Sequence, residues 1–269
     1  MATDAVPARQ YGFAKTERRD AWWAGPTATA LVLGGFVVYA TFRIFQNDYY
    51  EVGHGTGTLP EHSYMLAPMY SPLLPVREWL PWLPAWVSPA LFILWMPGGF
   101  RLTCYYYRKA YYRAYFLDPP ACAVGEPRNE YAGETGLLKF QNIHRFFLYL
   151  ALIFILILGI DAIHSMLWPT AGGGLTFGVS VGTIVLTVNV ILLSMYTLGC
   201  HSLRHLIGGN VDCFSCVRGG GARLAMWKGV TVLNMHHMFW AWTSLIGVAF
   251  ADFYVWMVAS GRITDFRLF

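Results

Sequence analysis

Residues 143–168 read IHRFFLYLALIFILILGIDAIHSMLW, and this apolar run decides the class of fold. The hydrocarbon core of a bilayer is about 30 Å thick and needs roughly 20 apolar residues of helix to cross it. The run is long enough for one crossing. Composition agrees, because 56% of the 269 residues are hydrophobic and only 13% are charged, whereas a soluble domain carries about 25% charged residues. The sequence therefore predicts an integral membrane protein.

Four further stretches meet the same length criterion, so we expect an all-α membrane protein with five transmembrane helices. The predicted spans are about 25–45, 86–107, 143–168, 175–206 and 227–259. The second span contains Pro97, Gly98 and Gly99 and is expected to kink there. Residues 1–24 are predicted to form a cytoplasmic N-terminal arm, and residues 25–269 a single membrane domain.

Lys and Arg side chains are distributed unevenly between the predicted loops. They are concentrated in the N-terminal arm, in the loop between spans two and three and in the loop between spans four and five, whereas the 46–85 loop has Arg77 alone. Because cytoplasmic loops are enriched in Lys and Arg, the N-terminus is predicted to be cytoplasmic and the C-terminus outside. The net charge of +4 is modest and there is no long basic tail, so the composition gives no indication of nucleic-acid binding.

Residues 198–216 read LGCHSLRHLIGGNVDCFSC and bring three cysteines and two histidines together at the end of span four. Soft thiolate and imidazole donors in such density suggest a metal site. His201 and His205 are four residues apart, so on a helix they share one face at about 6 Å. Cys213 and Cys216 form a CxxC motif, which is common in metal and redox sites. All five cysteines and five of the eight histidines gather toward the predicted cytoplasmic face.

Two cofactors are compatible with this donor set. A haem b needs two imidazoles from different helices, for which His144 with His201 or His237 are candidates. A Rieske-type [2Fe–2S] centre takes two cysteines on one iron and two histidines on the other. The grouping of thiols with imidazoles favours the cluster. Two alternatives stay open at this point: a stand-alone membrane metalloprotein, and cysteines that pack only as small apolar side chains.

Several ordered motifs resemble the membrane-anchor subunit of respiratory complex II, most closely the five-helix anchor of actinobacterial, mycobacterial-type succinate dehydrogenase. They are FRLTCYYYRKAYYRAYFLDPPACAVGEPR (100–128), QNIHRFFLYLAL (141–152), GCHSLRHLIGG (199–209) and LNMHHMFWAWTSL…FADFYVWMVASG (233–261). The resemblance implies a multi-pass subunit of the bacterial plasma membrane with no succinate-oxidising site of its own. It would anchor a flavoprotein subunit (FAD) and an iron–sulfur subunit, and pass electrons to menaquinone or ubiquinone.

The resemblance also implies a Rieske-type cluster and a set of site residues. The expected ligands are Cys104 and Cys122 on one iron and His201 and His205 on the other, with Cys200 and His237 as substitutes. The CxxC motif lies outside the family pattern, so the local motif and the family pattern disagree about Cys213 and Cys216. A quinone slot is expected next to the cluster, lined by Tyr105, Arg145, Trp227 and Trp240.

Overall fold

The computed structural model describes residues 12–53, 63–127, 142–169, 174–209 and 211–269, and it is mainly helical. In this part of the chain the helices are α1 (Ala24–Gln46), α2 (Val76–Trp79), α3 (Pro89–Ile93), α4 (Trp95–Leu102), α5 (Tyr105–Tyr111), α6 (His144–His164), α7 (Val181–Leu198), α8 (His201–Gly208), α9 (Gly220–Met235) and α10 (His237–Ala259). The strands are β1 (Glu51–Gly53), β2 (Ser63–Leu66), β3 (Leu167–Pro169) and β4 (Leu175–Phe177), which pair as two antiparallel hairpins, β1 with β2 and β3 with β4.

Four of these helices are long and apolar enough to cross a bilayer: α1, α6, α7 and α10. The predicted first and third spans correspond to α1 and α6. The predicted second span, 86–107, is instead divided among α3, α4 and α5. α3 ends at Ile93, four residues before Pro97, whose nitrogen has no hydrogen to donate to the Ile93 carbonyl. A second break falls at Cys104, whose extended backbone begins α5.

The predicted fourth span, 175–206, consists of three elements in the structure: β4, α7 and α8. Ser180 caps α7 by accepting a hydrogen bond from the Thr183 amide at 3.1 Å. α7 is followed by its C-cap Gly199, where a Cβ atom would lie 2.8 Å from the Met195 carbonyl oxygen and 3.2 Å from the Leu233 backbone. Glycine is therefore required at this close approach to α9. The predicted fifth span, 227–259, is likewise divided, because the helix is interrupted at His236 between α9 and α10.

The chain forms two compact units, and the larger comprises residues 38–101 and 143–269. Its core lies between α6, α7 and α10, which bury Leu148, Leu186 and Leu245. At one end, called here the Arg43 end, the fully buried guanidinium of Arg43 lies 2.8 Å from the equally buried Asp252 carboxylate. The Tyr39 hydroxyl donates to the same carboxylate at 2.6 Å. Ser71 donates to Asp161, near the end of α6.

The smaller unit comprises residues 1–37 and 102–142. Its described part joins the N-terminal arm to the loop that follows α5. The Ala14 amide donates to the Gly125 carbonyl at 2.9 Å, and the Gly125 amide donates to Lys15 at 2.9 Å. Arg18 donates to the Cys122 carbonyl at 2.8 Å. The arm is thus bonded directly to the loop that carries Cys122.

Candidate metal centre

Three of the candidate donors stand where helices of the larger unit begin. His144 is the first residue of α6, Cys200 is the N-cap of α8, and His237 is the first residue of α10. The Nε2 atom of His144 lies 3.1 Å from the Sγ atom of Cys200. Both side chains are buried, with 7% and 2% of their surface exposed. The fold therefore brings an imidazole nitrogen and a thiol sulfur from separate helices into direct contact.

Phe100, in α4, holds the His144 ring in place. The two rings are stacked at 4.6 Å between centroids with only 7° between their planes. A ring N–H of His144 also donates a hydrogen bond to the Phe100 backbone carbonyl. A metal-binding histidine commonly uses one ring nitrogen on the metal and the other on a backbone carbonyl or carboxylate. The combination of a thiol contact and a backbone bond is of that kind.

Tyr196, near the end of α7, supports His237 in a similar way. The Tyr196 and His237 rings are stacked at 5.0 Å with 18° between planes. Phe100 meets the Tyr196 ring edge-on at 5.5 Å. Phe100 and Tyr196 thus form a continuous aromatic layer that supports both imidazoles.

His201 and His205 lie on one face of α8, with ring centroids 5.1 Å apart. Both are exposed. Their spacing is the one that a helical i, i+4 pair gives. The Asn234 side-chain amide, three residues before His237, donates to the Gly199 carbonyl at 2.8 Å, so the beginnings of α8 and α10 lie at the same end of the larger unit.

The cysteines are distributed between the two units. Cys104 is buried and Cys122 exposed, and both belong to the smaller unit. Cys200, in the larger unit, is the third cysteine of the described residues that is not in a disulfide. Cys213 and Cys216 form a disulfide with each other, which occupies both sulfurs of the CxxC motif.

The donors present fit an iron centre in chemical kind. Among the described residues, no three His, Cys, Asp or Glu side chains are gathered as a group that could hold a metal ion. The contact of His144 with Cys200 nevertheless pairs two soft ligands in a site shielded from water. Thiolate and imidazole are the ligands that iron–sulfur centres with mixed coordination use.

The residues expected to line a quinone slot differ in their surroundings. Tyr105 is 68% exposed, and Arg145 is also exposed. One face of Trp227 is covered by the Arg204 guanidinium, 4.7 Å from the ring centroid. Trp240 is different: its indole nitrogen is buried and has no hydrogen-bond acceptor among the described residues. Trp240 follows His237 by three positions on α10, so the two lie on neighbouring parts of one helix face.

Sequence reasoning did not identify Phe100, Arg101 and Tyr196 as site residues, although they hold the imidazoles. The Arg101 guanidinium lies 4.8 Å from the centroid of the Tyr196 ring. An arginine inside a predicted membrane span was the available signal, because ionisable residues there are usually functional or paired. Phe100 and Tyr196 gave no such signal, since aromatic residues are common in apolar helices.

Four helices long and apolar enough to cross a bilayer, with a buried thiol–imidazole contact between the beginnings of α6 and α8, define the class as an α-helical membrane protein. A family model described as the actinobacterial succinate dehydrogenase subunit SdhC matches residues 24–261, and the chain belongs to this family. It is also similar to a chain of the Mycobacterium smegmatis Sdh1 complex in the apo form, with 39% identity over 98% of each chain and a TM-score of 0.79. A comparison with curated proteins found no match.

The protein is therefore the membrane-anchor subunit of a bacterial succinate dehydrogenase complex, without a catalytic site of its own. The family expected from the sequence motifs is confirmed. The alternative of a stand-alone membrane metalloprotein is set aside by the same finding.

Proposed function

We propose that this subunit carries electrons from the soluble iron–sulfur subunit to a membrane quinone through a Rieske-type [2Fe–2S] centre. The observation that carries the proposal is the buried 3.1 Å contact between His144 Nε2 and Cys200 Sγ. A haem b would use imidazoles without thiols, whereas here a thiol meets the nitrogen that a metal would bind. A centre with two neutral imidazoles has a higher reduction potential than an all-cysteine cluster, so when bound it would accept electrons readily from such a cluster.

The ligands are proposed to be two thiolates and two imidazoles. In a Rieske-type centre the two residue types bind different irons. Cys200 would therefore bind one iron, and His144 would bind the other. The sequence-based set of Cys104, Cys122, His201 and His205 supplies the candidates for the other two positions. His237 is the remaining candidate imidazole.

The chain's own residues have three tasks around such a centre. Phe100 and Tyr196 fix the imidazole planes by stacking. The burial of Cys200 excludes water from the thiol. The free indole N–H of Trp240 is proposed to donate a hydrogen bond to a quinone carbonyl, since a quinone site needs an apolar slot with one or two hydrogen-bond donors.

A five-span topology with a cytoplasmic N-terminus is part of the proposal. The arm before α1 is bonded to the loop after α5. If α1 crosses the bilayer, the chain must cross back between residues 47 and 116, which adds one crossing to α1, α6, α7 and α10. The same side then holds His144, Cys200 and His237, together with the basic loops that favour the cytoplasm. The flavoprotein (FAD) and iron–sulfur subunits would dock there, at the plasma membrane.

The test is paramagnetic resonance on the purified, dithionite-reduced complex at low temperature. The expected result is a [2Fe–2S] signal with nitrogen couplings from imidazole that Cys200→Ser removes. The double variant His201→Ala with His205→Ala should lose quinone reduction but keep succinate oxidation with an artificial acceptor at the flavin. Normal quinone reduction in that double variant would exclude these two histidines as ligands.

Two histidines that follow one another on the chain provide a matched control. His237→Ala is expected to alter the imidazole couplings, whereas His236→Ala should not, because His236 is exposed and its ring interacts with the Val232 carbonyl of its own helix. Haem b is the alternative cofactor, favoured because His144 and His237 begin different helices and stack on Phe100 and Tyr196, whose rings are 5.5 Å apart. A reduced-minus-oxidised visible spectrum with sharp haem bands and no imidazole-coupled iron–sulfur signal would decide for haem.

A further inference from the structure

Arg101 occupies an unusual position, next to the aromatic layer that supports His144 and His237. It is the residue after Phe100 in the last turn of α4. Its guanidinium carbon lies 4.8 Å from the centroid of Tyr196, and the same ring stacks on His237 at 5.0 Å. Consecutive residues of α4 thus support the two imidazoles, Phe100 by direct stacking on His144 and Arg101 by way of Tyr196.

Arg101 is also anchored to the helix that carries His237. Its Nη2 atom donates to the Ser244 hydroxyl at 3.0 Å, and its Nη1 atom donates to the Ala241 carbonyl at 3.3 Å. Ala241 and Ser244 follow His237 by four and seven positions, which places them along the same face of α10. Both are fully buried. A guanidinium can make these two bonds at once because its donors are held in a rigid planar fork, which a lysine lacks.

We infer that Arg101 is a positioning residue that fixes the face of α10 bearing His237 and raises the reduction potential of the adjacent metal centre by its fixed positive charge. The inference rests on the proposed function. The two ring distances keep the guanidinium within about 10 Å of the His237 ring, and inside a protein this separation is screened far less than in water. An added electron makes the centre more negative, so a nearby cation stabilises the reduced form. Net charge and surroundings set the potential of such centres.

The test compares the whole complex carrying Arg101→Gln, Arg101→Lys or Arg262→Gln with the wild type, by redox titration of the iron–sulfur resonance signal. Arg262 is a matched control, since its guanidinium also lies over an aromatic ring, Trp256 at 5.4 Å, but near the C-terminal end of α10. We expect Arg101→Gln to shift the midpoint to lower potential. Arg101→Lys should keep the potential but broaden the imidazole couplings, and Arg262→Gln should change neither.

An unshifted midpoint in Arg101→Gln, or an equal shift in Arg262→Gln, would overturn the inference while the proposed function stands. If Arg101→Gln does not assemble, Arg101→Lys decides alone, and unaltered couplings there overturn the positioning role. A wild-type complex without imidazole-coupled iron would overturn the proposed function, and the inference with it.

Discussion

Truncating Arg43 to alanine tests how the Arg43 end of the larger unit is held together. The Arg43 and Asp252 side chains have no exposed surface, and the Nε atom is 2.8 Å from the carboxylate. The guanidinium also donates to the carbonyls of Asp48 at 3.1 Å and Tyr49 at 3.3 Å. Arg43→Ala would remove the counter-charge and leave the Asp252 carboxylate buried, with the Tyr39 hydroxyl as its remaining side-chain donor.

The expected loss follows from this burial. Breaking a buried ion pair by removing one partner destabilises a protein by about 3–5 kcal/mol. A loss of about 3 kcal/mol raises the ratio of unfolded to folded molecules about 150-fold. Replacing both partners with apolar residues of similar volume is often close to neutral. Arg43→Met combined with Asp252→Leu is therefore expected to recover most of the stability.

The measurement is denaturant unfolding of the complex in detergent, followed by circular dichroism and by loss of succinate:quinone activity. Arg262→Gln is a suitable control, because it alters an exposed arginine, and surface changes are usually within about 0.5 kcal/mol. A stability of Arg43→Ala within 1 kcal/mol of wild type would refute the reasoning. So would a double variant as unstable as the single one.

Two further predictions concern α4 and the CxxC motif. Gly99→Ala should lower the free energy of unfolding by about 1–3 kcal/mol, because the new Cβ atom would lie 2.2 Å from the Phe147 ring. At Gly98 a Cβ atom would meet nothing within 4 Å, so Gly98→Ala should raise the free energy of unfolding by up to about 1 kcal/mol through helix propensity. Thermal unfolding compares the two variants directly, and equal effects would contradict the packing argument. Cys213→Ser with Cys216→Ser should leave the iron and acid-labile sulfide content per complex unchanged, because the two sulfurs bind each other; loss of iron would instead make them ligands.

The membrane class and two of the spans could be predicted because length and apolar composition alone decide whether a helix suits a bilayer. The interruptions at Cys104, Gly199 and His236 could not, since an apolar pattern continues across them. They depend on contacts between helices that are distant in sequence. At Gly199, for example, the backbone of α9 lies too close for any side chain. Local composition therefore predicts the presence of a helix more reliably than it predicts the residue at which the helix ends.

The sequence names His144 and Cys200 among the candidate donors, but it does not predict that they touch. Sequence spacing favours near neighbours, so it drew attention to the His201 and His205 pair and to the CxxC motif. The contact that the fold makes joins His144 and Cys200, which are 56 residues apart. This contact depends on the residues at which α6 and α8 begin and on how the two helices pack. Neither can be read from the spacing of donors along the sequence. The supporting roles of Phe100 and Tyr196 were likewise invisible, because they depend on ring geometry between helices.

The bonds between the N-terminal arm and the Cys122 loop constrain how the chain matures. Thr16 donates to the Ala123 carbonyl across 107 positions of sequence, so the ribosome releases one partner long before the other exists. The junction can close only after residues 17–122 have been synthesised, so it forms late in the synthesis of this part of the chain. For the same reason, affinity tags and fluorescent fusions are better placed away from residues 14–18, where they would compete with the loop for its hydrogen bonds.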